Sequence, residues 1–213
     1  MNPNQAERLQ WIALTVLGLV AGLALALPLG VPIFAVLGAM AGTPVVLGVV
    51  GLSLGTAQWP IIRRYMSSSW WWLIASALGM AVGLTLGVTL VEQIGRALTG
   101  GPLNFRMLGV PARAASFGTI GLLGGAAVGL AQWLVLRRQA ACRSRWIPIN
   151  ALSLGAGLAS GSLLADALML RSGSLASTAV LLVIGSLVAG VCTANELATV
   201  FKPRPLHVSP SGQ

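Results

Sequence analysis

The chain has 213 residues, of which 56% are hydrophobic and only 8% carry a charge. About a quarter of the residues are charged in a typical soluble domain, so this composition excludes a soluble globular protein and predicts an all-α membrane protein. The net charge of +9 does not indicate nucleic-acid binding, because the arginines form short clusters between apolar runs, as in the cytoplasmic loops of membrane proteins.

The first apolar run covers about residues 11–27 and begins at Trp11. Together with Arg8 before it and the small residues Ala24 and Ala26 near its end, this run also fits a secretory signal peptide, which would be cleaved. A retained first transmembrane helix and a cleaved signal peptide are therefore both open from this stretch alone, and the repeat described below favours the retained helix.

Five further apolar runs follow, each near the roughly 20 residues that a helix needs to cross the hydrocarbon core. They cover about residues 44–62, 70–91, 117–136, 146–168 and 175–198. The uncharged connector 28–43 contains Pro28 and Pro32 and fits either a loop or a re-entrant segment. The sequence thus predicts one domain, residues 1–200, with six transmembrane helices, and a disordered cytoplasmic tail at 201–213.

Six spans place both termini on the same side of the membrane, and the basic residues indicate which side. Nine of them lie on the side of the termini, namely Arg8, Arg63, Arg64, Arg137, Arg138, Arg143, Arg145, Lys202 and Arg204. Four lie on the other side, namely Arg96, Arg106, Arg113 and Arg171. Because Lys and Arg concentrate in cytoplasmic loops, this bias predicts an inner-membrane protein with both termini in the cytoplasm.

An internal repeat organises the middle of the chain. Residues 51–87 recur without gaps at 125–161, with 13 of 37 positions identical, and both copies contain Gly-x-x-x-Gly-x-Ala-Gln-Trp-x-x-x-Arg-Arg. Small residues follow Trp11, Trp72 and Trp146 at the seventh and eleventh positions, so the first run resembles a third copy. This pattern predicts three tandem helical hairpins, each with a Trp-led helix followed by a Gln-Trp-type helix.

The conserved spacing inside the repeat predicts how its helices pack. Glycines four residues apart form a groove that lets helices approach closely in lipid, and interhelical hydrogen bonds add to this packing. Gln58 and Gln132 lie on the glycine faces of their helices, and Ser76 and Asn150 stand four residues after the matched tryptophans. We expect hydrogen bonds Gln58–Ser76 and Gln132–Asn150, which makes these four residues the candidate interhelical or binding positions.

The second tryptophan of each copy stands near the predicted cytoplasmic boundary. Arg63 follows Trp59, and Arg137 follows Trp133, by one helical turn. Such pairs anchor a helix at the lipid interface, with membrane lipids as the contacting partner. The alternative is a binding site for a lipid headgroup or for another membrane protein.

Two acidic residues occupy equivalent positions of the repeat. Glu92 and Asp166 are 74 residues apart, and each stands 20 residues after its tryptophan. With Arg96 and Arg171 close behind, they fit salt-paired, solvated helix ends. The alternative is a pair of cation or proton ligands, so Glu92 and Asp166 are the candidate ion-contact acids.

The sequence shows no catalytic set. The single histidine, His207, lies in the tail, which excludes a histidine-based triad or metal motif within the membrane. Cys142 and Cys192 form no Cys-x-x-Cys pair. We therefore expect no enzyme activity, no cofactor and no metal.

The repeat also resembles that of known proteins. The segment from Gly129 to Arg138, Gly-Leu-Ala-Gln-Trp-Leu-Val-Leu-Arg-Arg, is followed by Trp146-Ile-Pro-Ile-Asn-Ala-Leu. This pattern resembles uncharacterised multi-pass bacterial membrane proteins that carry tandem G-x-x-QW-x-x-L-R segments. The resemblance covers roughly the middle half of the chain and implies no particular activity.

These observations favour a non-enzymatic accessory or scaffold component of a membrane complex, with other membrane proteins or further copies of the chain as partners. The alternative is a small-solute transporter, or the substrate-binding subunit of one, that uses the polar groups between the repeats.

The predicted topology can be tested with Cys142, which stands in the basic loop between two spans. A membrane-impermeant maleimide should label Cys142 in inverted vesicles and leave it unlabelled in intact cells. The reverse labelling pattern would contradict cytoplasmic termini.

Overall fold

The structure is a computed structural model, and it describes residues 3–66, 69–105, 107–137, 145–170 and 174–200. These residues form five α-helices, namely α1 (Pro3–Ile62), α2 (Trp70–Thr99), α3 (Val110–Leu136), α4 (Trp146–Ala167) and α5 (Leu175–Val200), with no strand among them. All five helices are long and apolar enough to cross a membrane. The all-α class is confirmed; the predicted tail at 201–213 lies outside the described residues.

The number of helices differs from the expected six, because the first two predicted spans lie in one helix. The helix α1 covers 60 residues, and the connector 28–43 is part of it and not a loop. Within α1 the backbone leaves helical geometry at Gly38, where φ is 70° and ψ is 173°. Only glycine adopts this region readily, since a Cβ would clash with the backbone.

The two arms of α1, residues 3–37 and 39–62, pack against each other in opposite directions. A Cβ added to Gly18 would stand 2.9 Å from the Leu54 Cα atom, and one added to Gly22 would stand 2.9 Å from the Val50 Cα atom. The contact partners thus run backwards along the chain. The reversal at Gly38 therefore makes α1 a helical hairpin.

The two arms of α1 and the helices α2 to α5 form a closed ring. Each helix contacts its neighbours in chain order, and α5 contacts α1. Glycines set the close approach within the ring: a Cβ on Gly157 would stand 2.7 Å from the Gly185 Cα atom, and one on Gly79 would stand 2.6 Å from the Val128 Cα atom. Such short separations let backbones pack directly against each other, which is how helices associate in lipid.

The N-terminal arm is also tied to the segment that follows α1. The Tyr65 hydroxyl donates a hydrogen bond of 2.6 Å to Glu7 Oε1, and the Arg64 guanidinium lies 4.0 Å from the same oxygen. Burial, followed by the hydrogen bond to Glu7 and the charge of that carboxylate, raises the pKa of Tyr65 to about 12. The phenol therefore remains a neutral donor at physiological pH.

Two glycines of one helix test the close packing of α1 on α2. A Cβ on Gly51 would stand 2.7 Å from the Met80 Cβ atom and 2.9 Å from the Ala77 Cα atom, whereas the nearest atom to a Cβ on Gly48 is the Ala81 Cβ, at 3.7 Å. We expect Gly51→Ala to lower the free energy of unfolding by about 1–3 kcal/mol, because the two helices must separate.

The matched control Gly48→Ala should change that free energy by less than about 0.5 kcal/mol. Unfolding by SDS in mixed micelles measures both values. Equal effects of the two substitutions would contradict close packing at Gly51.

Candidate functional site

Three buried tryptophans form the core at one end of the ring. Trp11, Trp72 and Trp146 are each at most 1% exposed. The Trp72 ring meets the other two edge-on, with ring centroids 6.2 Å from Trp11 and 6.1 Å from Trp146. These residues begin the three Trp-led helices of the sequence pattern, and we call them the tryptophan layer.

Each indole N–H of the tryptophan layer donates to a polar side chain of a neighbouring helix. Trp72 Nε1 donates to Gln58 Oε1 at 3.1 Å, and Trp146 Nε1 donates to Gln132 Oε1 at 3.2 Å. Trp11 Nε1 donates to Thr193 Oγ1 at 2.9 Å, which joins the first arm of α1 to α5. A buried indole N–H requires such a partner, because an unpaired polar group in an apolar interior is costly.

The two glutamines also donate, and each donates to a hydroxyl group on the preceding Trp-led helix. Gln58 Nε2 donates to Thr15 Oγ1 at 3.0 Å, and Gln132 Nε2 donates to Ser76 Oγ at 3.0 Å. Each amide therefore bridges two Trp-led helices. The glutamines couple neighbouring hairpins in addition to the helices within one repeat copy.

The expected bonds Gln58–Ser76 and Gln132–Asn150 are wrong. Ser76 lies one turn deeper than Gln58, beside Gly55, where a Cβ added to the glycine would stand 3.1 Å from the Ser76 Cβ atom. Gln58 is level with Trp72 instead, so the indole takes its carbonyl oxygen. Asn150 donates to the Trp146 carbonyl oxygen of its own helix at 2.8 Å.

Little space remains at the centre of the ring beside the tryptophan layer. A cavity of about 30 Å³ lies between Thr15, Gln58, Gln132, Asn150 and their apolar neighbours. One water requires roughly 10–15 Å³, so the centre has room for about two waters. The tryptophan layer and this small centre leave no room for a solute.

The interfacial pairs expected from the repeat are formed. The Arg63 guanidinium lies 5.2 Å from the centroid of the Trp59 ring, and Arg137 lies at the same distance from Trp133. Trp59 Nε1 donates to Ser69 Oγ at 2.7 Å. These are cation–π contacts at the end of the bundle that carries the tryptophan layer.

A much larger cavity, of about 540 Å³, lies at the opposite end of the bundle. We call it the outer cavity. It is lined by α2, the α2–α3 connector, α3, α4 and α5, with side chains from Val88, Pro102, Leu103, Asn104, Phe105, Arg113, Phe117, Ile120, Ser162, Ala165, Asp166, Ser177 and Leu181. Its volume falls in the range of about 300–1,000 Å³ that is usual for small-molecule sites.

An ion pair lies on the wall of the outer cavity. Arg113 Nη2 is 3.1 Å from Asp166 Oδ1, and the two side chains are only 13% and 15% exposed. The second carboxylate oxygen, Asp166 Oδ2, is buried and has no hydrogen-bond partner among the described residues. The expected neighbour Arg171 lies outside the described residues, and the structure assigns Arg113 as the partner of Asp166.

The equivalent acid Glu92 behaves differently. It is half-buried near the outer end of α2, does not line the outer cavity and forms no ion pair with Arg96. The position 74 residues before Arg113 is Ala39, so the first repeat copy lacks the arginine. The structure therefore does not bring the two candidate acids together, and the pseudo-symmetry of the repeat ends at this point.

The sequence analysis missed most of the outer cavity because it started α3 too late. The predicted span began at residue 117, whereas α3 begins at Val110 and includes Arg113. Arg113, Phe117 and Ile120 recur at helical spacing, which puts them on one face of α3. Ser162 precedes Asp166 by one turn of α4, and this spacing was a usable signal.

Comparison of the chain with protein families, curated proteins and solved structures finds no match. In the described part of the chain, no three His, Cys, Asp or Glu side chains are grouped as metal ligands would be. The geometry of the site must therefore carry the functional argument.

The bridging role of the glutamines can be tested with Gln132→Leu. This substitution leaves the Trp146 N–H and the Ser76 hydroxyl without their partner, so we expect a loss of about 1–3 kcal/mol in the free energy of unfolding. Gln93→Leu, at an exposed position of α2, is the control and should change it by less than about 0.5 kcal/mol. Equal values for the two variants in an SDS titration would contradict the bridge.

Proposed function

We propose that this chain is a six-crossing, non-enzymatic protein of the inner membrane that captures a small solute as the accessory subunit of a larger membrane complex. The observation that carries the proposal is the contrast between the two ends of the bundle. A cavity of about 540 Å³ lies at one end, and only about 30 Å³ remains at the centre.

Six crossings follow from treating each arm of α1 as a span. The shorter arm, residues 39–62, rises about 36 Å at 1.5 Å per residue, which exceeds the hydrocarbon thickness of roughly 30 Å. Six crossings and the nine-to-four distribution of basic residues support cytoplasmic termini. The tryptophan layer then lies toward the cytoplasm, and the outer cavity lies on the opposite side.

The bundle supports capture more than conduction. A solute in the outer cavity would have to pass the central polar side chains and then the tryptophan layer, whose rings are almost fully buried. Opening that path requires breaking the hydrogen bonds that join adjacent hairpins. Onward movement of the solute would therefore require a partner protein that changes the bundle.

A second candidate function is a purely structural component of a complex, and one observation favours it. The turn of the α1 hairpin exposes apolar side chains, with Val31, Val36 and Met40 exposed to 75%, 81% and 94%. This tip carries no charge between residues 28 and 43 and contacts only its own hairpin partner at Gly42 and Phe34. A membrane-protein partner, a further copy of the chain, or lipid would cover it.

Solute capture can be tested by filling the cavity. Ser162 is 2% exposed and lines the outer cavity, whereas Ser160 is exposed on the same helix. The full-length protein and the variants Ser162→Phe and Ser160→Phe are purified in mild detergent, denatured, and analysed for released small molecules by mass spectrometry. We expect a stoichiometric compound with the wild type and with Ser160→Phe, and its loss with Ser162→Phe.

Gel filtration and thermal unfolding identify a variant that has simply failed to fold. If no compound is retained by the folded wild type, or if a folded Ser162→Phe retains it fully, capture in the outer cavity is refuted. Discrete co-purifying proteins that are unaffected by Ser162→Phe would then support the structural component.

A further inference from the structure

The chemistry of the outer cavity indicates what it binds. We infer that its ligand is an uncharged, ring-containing solute that presents an N–H or O–H donor to Asp166 and an acceptor to the serine hydroxyls beside it. This inference rests on the proposed solute capture and specifies the class of solute.

The charge of the ligand follows from the ion pair. Arg113 and Asp166 already neutralise each other at 3.1 Å, and both side chains are at least 85% buried. A ligand with a net charge would place an uncompensated charge in this partly dehydrated cavity, which is costly. A neutral ligand avoids that cost and leaves the ion pair intact.

The donor on the ligand follows from the unused polar atoms. Asp166 Oδ2 is buried without a hydrogen-bond partner in the described part of the chain. It is a charged acceptor, and hydrogen bonds to charged groups are roughly twice as strong as neutral ones. A ligand N–H or O–H placed here would satisfy an atom that the protein leaves unpaired.

The acceptor on the ligand follows from two serines. Ser162 and Ser177 are 2% and 5% exposed, and both line the outer cavity. Neither hydroxyl is hydrogen-bonded to another described residue; the only bond of Ser177 is from its backbone N–H to Ser174 Oγ. Two hydroxyls and a carboxylate oxygen therefore point to a ligand with a donor and an acceptor side by side, as in a carboxamide or a lactam.

The ring follows from the remaining wall of the cavity. Phe105 and Phe117 stack with their ring centroids 5.4 Å apart and their planes 27° from parallel, and both line the cavity. The other lining is mainly aliphatic, from Val88, Leu103 and Leu181. A flat aromatic body packs well against such a surface and gains more from burial than a polar chain of similar size.

Three soluble probes that share one ring system test this inference. They are naphthalene-2-carboxamide, naphthalene-2-carboxylate and 2-naphthylmethylammonium, titrated by fluorescence into the full chain in lipid nanodiscs, with empty nanodiscs subtracted. We expect the neutral carboxamide to bind the wild type with a Kd at least about tenfold lower than either charged probe.

Substitution of the cavity acid should change this preference. In Asp166→Asn the cavity gains a net positive charge, so the carboxylate should become the tightest-binding probe, and the carboxamide should lose about tenfold in affinity. Glu92→Gln, at the equivalent repeat position outside the cavity, is the matched control and should leave all three affinities unchanged. If Asp166→Asn fails to fold, the neutral double variant Arg113→Gln/Asp166→Asn should still prefer the carboxamide, with reduced affinity.

Three outcomes would overturn the inference: a charged probe that binds the wild type as tightly as the carboxamide, equal effects of Asp166→Asn and Glu92→Gln, or no binding of any probe. A charged compound that the wild type retains on purification, and that Ser162→Phe loses, would refute the ligand class alone and leave the capture role standing. Retention of no compound refutes capture itself, so the two failures are distinguishable.

Discussion

The hydrogen bonds of the tryptophan layer are the constraint on which the rest of the structure depends. Three large indoles are buried at one end of the ring, and each N–H must find a partner because neither lipid nor an apolar core offers one. Gln58 and Gln132 supply carbonyl oxygens, and Thr193 supplies a hydroxyl. Because the glutamines also donate to Thr15 and Ser76, the same bonds hold the axial register of adjacent hairpins.

Close helix packing extends this register along the bundle. Glycines at matched depths bring backbones together within hairpins, as at Gly157 and Gly185, and between hairpins, as at Gly55 and Leu73. The internal repeat thus produces a nearly symmetric ring from the tryptophan layer to the centre. The outer end departs from this symmetry, because the counterpart of Arg113 in the first copy is Ala39.

That departure gives the two ends of the bundle different capacities. The end with the tryptophan layer is filled and hydrogen-bonded, so it resists opening. The outer end keeps a cavity whose polar groups are an ion pair and two serine hydroxyls, set among aromatic and aliphatic side chains. Such a cavity selects ligands by hydrogen-bond pattern more than by charge, because its own charges already cancel.

The sequence by itself determined the helical class, the approximate extent of the spans after the first hairpin, and the residues that pair in polar contacts. These follow from composition and from the 74-residue repeat, which are local or periodic signals. It did not determine the partners of Gln58 and Gln132, because a register difference of one turn exchanges Ser76 for Trp72. It also missed the helical course of α1 through Pro28 and Pro32. Only the tertiary structure decided that Arg113 pairs with Asp166, since that contact joins two helices whose relative register no sequence periodicity specifies.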